Sequence, residues 1–144
     1  MPGVGLGIII LNNKNQVLLI LRNQDKDKAQ SDMRLEGTWT LPAGKVKLGE
    51  TIFDAAKRKA KCEVNLDVDD LSVVSLNDDI NEYAHFLTVG VLARMCSGEI
   101  SLGDTEEHVD YNFFDLDKLP KNLCDPSKVI INNYLNKKIY DKEK

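Results

Sequence analysis

The chain has 144 residues, 42% of them hydrophobic and 29% charged, with a formal net charge of -4. That length suits one compact domain, residues 1–144, able to bury a core without staples, and the composition excludes a disordered chain. The acidic balance excludes a general attraction to nucleic acid or anionic membranes, although Lys45, Lys47, Lys57, Arg58, Lys59 and Lys61 make one stretch locally basic.

A first strand is predicted over residues 4–11, and Gly3, Gly5 and Gly7 alternate along its start. Alternate glycines leave one face bare, open either to close packing of a helix or to a ligand. Residues 12–15 have turn composition, residues 17–21 form an apolar run fit for a buried strand, and the two strands read as a hairpin. Residues 23–37 are polar and without period, a long loop. Residues 39–42 are extended, because Pro42 biases Leu41 away from helix, and residues 44–49 continue as loop. Residues 51–64 read as a helix with Ile52, Ala55 and Ala56 on one face, continued by Cys62 or Glu63 and capped by Thr51 or Gly49. Strands are predicted over 71–76 and 85–95 with a turn at 78–82. A polar, acidic loop then covers 97–110, and a last strand covers 111–116. Asp125 and Pro126 start a closing helix, with an apolar face of Val129, Ile130, Tyr134 and Ile139 and Leu135 flanking it. The sum is an α/β domain of about three layers, with a mixed sheet and two main helices.

Cys62, Cys96 and Cys124 are widely spaced and form no zinc-binding pattern. An odd count argues for a reducing compartment. Residues 1–5 lack the features of a signal peptide, and no apolar run approaches membrane-spanning length. The expectation is a cytoplasmic protein.

The segment Gly44-Lys45-Val46-Lys47-Leu48-Gly49-Glu50 has a glycine, five residues and a glutamate. After seven more residues comes Arg58, then Ala60, Glu63 and Leu66. Trp39-Thr40-Leu41-Pro42-Ala43-Gly44 leads in, and Val17-Leu18-Leu19-Ile20-Leu21-Arg22 precedes it. This series resembles the box and flanks of the Nudix family, over roughly residues 3–138. It is most similar to the MutT-like branch that hydrolyses nucleoside triphosphates. The resemblance implies an α/β/α sandwich and a nucleotide or other nucleoside diphosphate derivative as ligand. It also implies magnesium or manganese as cofactor, and it leaves a homodimer open.

Family members cleave a phosphoanhydride by water attack while divalent ions neutralise the phosphate oxygens. Magnesium demands hard oxygen ligands, and carboxylates at i, i+3 and i+4 converge on one helix face. In this chain those positions hold Lys59, Cys62 and Glu63, with charges +1, 0 and -1 where the family has three glutamates. The expected consequence is weak metal affinity and weak hydrolysis, since loss of a general base costs about 10² to 10⁴ in rate. Asn65 stands where the family has glycine, a mild change because asparagine tolerates a left-handed conformation.

The resemblance makes Glu63, Glu50, Arg58, Glu106 and Glu107 the candidate catalytic residues. Glu63 and Gly44 are the candidate metal ligands, and Gly44, Arg22, His85 and Lys59 the candidate ligand-binding residues. Asp104 shares the acidic loop with Glu106 and Glu107. Each has a plainer reading beside it. Glu106 and Glu107 fit a solvated loop, and Lys59 with Glu63 a surface i, i+4 pair. Arg22 fits a strand-end charge and His85 a satisfied strand histidine. Trp39 suits either base stacking or the core, and Cys62 either an inert or an activated thiol. The rival function is a binding module on the same fold that senses a nucleotide or protein without turnover. A further rival is hydrolysis by a shifted set, Glu63 with Glu106 or Glu107.

Overall fold

The apolar runs of the chain divide between two cores. The computed structural model describes residues 1–103 and 105–140. In its first strand, β1 (Gly3–Ile10), Leu6, Ile8 and Ile10 point to one buried face and Ile9 to the other. β2 (Gln16–Arg22) does the same, Leu18 and Ile20 against Val17 and Leu19. Successive strand residues face opposite ways, so continuous runs require cover on both sides. Each fully buried large aliphatic side chain contributes about 1.5–3 kcal/mol.

Next come α1 (Lys26–Ala29), β3 (Trp39–Thr40), β4 (Ala43–Lys45), α2 (Ile52–Val64), β5 (Asp67–Ile80), β6 (His85–Ser97), β7 (His108–Asp115) and α3 (Asp125–Asn136). One sheet has the order β4-β1-β6-β5 and the other β3-β2-β7. β1 runs parallel to β6, and the other pairs are antiparallel. Helix α2 covers the Leu6–Ile8–Ile10 face through Ala55, Ala56, Ala60 and Val64, and α3 covers the opposite face through Ile130 and Ile131. This is the α/β/α sandwich expected, with the strands split between two sheets. No helix of the described residues is long and apolar enough to cross a membrane.

Several boundaries differ from expectation. β1 and β2 are not a hairpin: they lie in different sheets and share one bridge, Leu11 with Val17. The turn at residues 12–15 hands the chain from one sheet to the other. The loop 23–37 contains the single turn α1, whose N-terminus the Asp25 side chain caps through the Asp27 N–H. The loop 44–49 begins as strand, because Gly44 pairs with Leu6 of β1. β5 runs on past Leu76, and the turn falls at residues 81–84. Its inward residues there are polar: Ser75, Asn77 and Asp79 are buried and bonded to one another, and Ser75 also bonds Asn133 of α3. An apolar pattern therefore could not reveal them. β7 begins at His108 rather than at residue 111. Cys124 is the N-cap of α3 in place of Asp125. Ile139 lies beyond the helix and is exposed, and Ile131 takes its place in the core.

The alternate glycines serve packing and the cleft described below. Gly7 pairs with Gly90 of β6, and a Cβ on either would come within 2.8 Å of Ile130. Gly5 lies against the Gly44 carbonyl and lines the cleft.

Candidate active site

Helix α2 carries the site. Thr51 caps it by accepting from the Asp54 N–H, and no glycine or proline interrupts it. It ends at Asn65, whose φ of 59° is left-handed and whose N–H bonds the Lys61 carbonyl. Ala55, Ala56, Ala60 and Val64 face the core, so Glu63, beside them, is carried inward at the cleft edge.

Arg58 grips Glu50 with two nitrogens, Nε donating to Oε2 at 2.6 Å and Nη2 to Oε1 at 3.0 Å. Its Nη2 also bonds the Lys45 carbonyl, while the Lys47 N–H donates to Glu50. This staples residues 45–50 to α2. The Arg58 guanidinium, with help from the Lys47 N–H, lowers the Glu50 pKa to about 2.

Glu63 is 9% exposed. Its Oε1 accepts the Ala43 N–H at 2.9 Å, and its Oε2 lies 3.5 Å from Lys59 Nζ. Burial pushes the Glu63 carboxyl up, against the pull of Lys59 and the Ala43 N–H. Lys59 is only 20% exposed, so this is no ordinary surface pair. Its stem lies across Gly44, where any Cβ would collide with it. The glycine thus serves the approach of Lys59.

Arg22 and His108 meet where β2 pairs with β7, just past a register shift between Leu21 and Arg22. Burial, then the charges of Arg22 and Lys59, lower the His108 pKa to about 4, so the imidazole is neutral at pH 7. Among the described residues, Arg22 Nε and His108 Nε2 are buried and have no hydrogen-bond partner. Ligand atoms of Glu63, Glu107 and His108 all lie within 4.8 Å of one another.

Arg22, Gly44, Arg58, Lys59, Glu63 and Glu107 border a cleft of about 510 Å³. Its charged lining is Arg22, Lys45, Lys47, Arg58 and Lys59 against Asp32, Glu63 and Glu107. Phe86, Thr88, Met33 and Leu35 line it further along.

The structure brings Glu50, Arg58, Lys59, Glu63, Gly44, Arg22 and Glu107 together around the cleft and its rim. It does not bring in Glu106, which is exposed and pairs with Lys28 at 3.7 Å, or His85. His85 is exposed at the start of β6, and strand alternation turns Phe86 and Thr88 to the cleft instead. Asp104 lies outside the described residues. Trp39 packs edge-on against Phe114 at 5.0 Å in the α3-side core. Cys62 is exposed. Sequence reasoning missed His108, because it placed that residue in a loop. Only the cross-strand partner Arg22 reveals its direction.

Residues 1–134 match the NUDIX domain. The chain is 32% identical over 123 residues to the ADP-ribose pyrophosphatase of Methanocaldococcus jannaschii, covering 84% of this chain and 67% of that protein. It is also 32% identical over 90 residues to an 8-oxo-dGDP phosphatase of Mus musculus, of which it spans only 24%. The crystal structure of the MutT NUDIX hydrolase from Burkholderia pseudomallei superposes with a TM-score of 0.81 at 26% identity, covering 92% of this chain and 98% of that one. The MutT protein of Methanosarcina mazei Go1 shares the fold, with a TM-score of 0.74 at 18% identity over 94% and 93% of the two chains. With the box-borne Arg58–Glu50 staple in place beneath this fold, the chain belongs to the Nudix family and is MutT-like within it.

Proposed function

We propose that the chain is one Nudix unit that binds a nucleoside di- or triphosphate, or a related pyrophosphate, and hydrolyses it slowly with a divalent ion. The observation that carries this reading is Arg22 Nε, a buried donor without a partner among the described residues, on a cleft that five cations and three carboxylates of those residues line. An orphaned buried donor costs about 1–3 kcal/mol, and a phosphate oxygen would satisfy it. Arg58 is committed to Glu50, Lys59 to Glu63 and Lys45 to Asp32, which among the described cleft residues leaves Arg22 and Lys47 for anionic oxygens. The M. jannaschii and mouse relatives are named for a pyrophosphatase and for a nucleoside diphosphate phosphatase, which supports the substrate class.

Glu63 and Glu107 supply hard oxygens fit for a divalent ion, and the Gly44 carbonyl is the third candidate. Such an ion, when bound, neutralises phosphate oxygens and the leaving group. Burial pushes the Glu63 carboxyl up, and an ion bound there would hold it ionised. The Ala43 N–H fixes its carboxylate, and Lys59 restrains the other oxygen. Lys59 also occupies space and charge that a second carboxylate would give to the metal, hence the slow rate.

The test is a panel of nucleotides and nucleoside diphosphate derivatives, assayed for binding and for phosphate release with magnesium and manganese. Expected are measurable binding, slow release, and loss of release but not of binding in Glu63→Gln. Failure of every compound to bind sinks the reading. Turnover of ordinary enzyme size, about 1 to 10³ per second, sinks the claim of slowness. Binding with no turnover at all favours the binding module instead.

A further inference from the structure

A smaller recess of about 70 Å³ adjoins the cleft, with Cys62, Glu63, Glu107 and His108 among its walls. We propose that Glu63, Glu107 and His108 there form a site for one borderline first-row dication, of the class of cobalt or zinc, in preference to magnesium. This deepens the preceding reading by naming the ion, and rests on it only for the ion's part in hydrolysis.

Three observations converge. The donor atoms lie within 4.8 Å of one another, a spread that small rotamer shifts close onto an ion at about 2.0–2.2 Å. The recess has room for an ion with a water or two, as liquid water takes about 30 Å³ per molecule. His108 Nε2 is buried without a partner among the described residues, and a metal ion would give it one. The convergence of Glu107 and His108 is itself unusual, since neighbours in a regular strand face opposite ways. It occurs because Glu107 lies in the bend just before β7.

The choice of ion follows from charge and ligand type. Glu63 and Glu107 face two cations, Arg22 and Lys59, which both act on Glu63. The local charge therefore balances. Magnesium is held by hard, charged oxygens and gains little in such a site. An ion that bonds imidazole nitrogen gains from His108 whatever the net charge.

The test uses the metal-free protein without nucleotide, so its outcome is independent of substrate binding. Calorimetry with cobalt, zinc and magnesium is expected to show one site, at least about 10-fold tighter for cobalt and zinc than for magnesium. His108→Gln is expected to weaken cobalt binding by more than the 10- to 100-fold that loss of a merely orienting partner costs. Lys59→Gln is expected to tighten it. The chain has two histidines, so imidazole nitrogen NMR of the unaltered protein with zinc reads the site directly. His108 is expected to shift and the exposed His85 to stay, which decides the matter even if His108→Gln fails to fold. Equal affinity for magnesium, an unshifted His108, or a sulfur-to-cobalt charge-transfer band from Cys62 would each overturn the assignment.

Discussion

Arg58 and Lys59 are adjacent on one helix and have opposite consequences. Arg58 is neutralised by Glu50 and holds a loop, whereas Lys59 is inserted beside Glu63, where a carboxylate would strengthen metal binding. Lys59→Glu with Cys62→Glu is accordingly expected to raise magnesium-dependent hydrolysis by about 10²-fold or more, the lower range for restoring a general base. An inert double variant that still binds nucleotide would place the lesion elsewhere. Glu50 predicts a pH dependence. Its folded pKa of about 2 lies below the ordinary 4.5. A depressed carboxylate contributes stability that is present above the unfolded value and lost as pH falls toward the folded one. Urea unfolding is therefore expected to show stability declining below pH 4.5, and Glu50→Gln, less stable at neutral pH, to show a shallower decline. Parallel acid limbs in the two proteins would contradict the Arg58 pairing as its cause.

At the scale of elements, the depth of α3 depends on two facing glycines. Gly7 and Gly90 are cross-strand partners, and both lie under Ile130. A Cβ on Gly90 would meet Ile130 Cγ2 and Ser75 Cβ at 2.7 Å. Ser75 belongs to the paired β5 ladder and cannot move aside. Gly90→Ala is expected to cost about 1–3 kcal/mol, the usual range for overpacking a filled core, read from the urea midpoint. No loss would show that α3 can ride outward. The helices α2 and α3 were legible because cap residues and apolar periods are local. The hairpin was not, because a turn of the same composition can close a ladder or carry the chain between sheets. The end of β5 was misread because Asn77 and Asp79 are buried polar residues, bonded to each other and, from Asn77, to the Pro126 carbonyl.

For the whole molecule, a net charge of -4 conceals a cleft with two more cations than carboxylates. Nucleotide binding is therefore expected to weaken several-fold between about 50 and 300 mM salt, as screening shortens to below about 10 Å. Arg22→Ala with Lys47→Ala is expected to flatten that dependence. Salt-independent affinity in the unaltered protein would argue against phosphate contacts with these groups. The sequence alone determined the layered fold and the resemblance to the box, because these rest on residue identity and short spacing. Only the tertiary structure decided which loop glutamate faces the cleft, that His85 turns away, and that His108 joins Glu63 and Glu107. Those outcomes depend on strand register and on a shift at Leu21/Arg22. Moving a register by one residue reverses every side chain, and no local pattern in this chain encodes it.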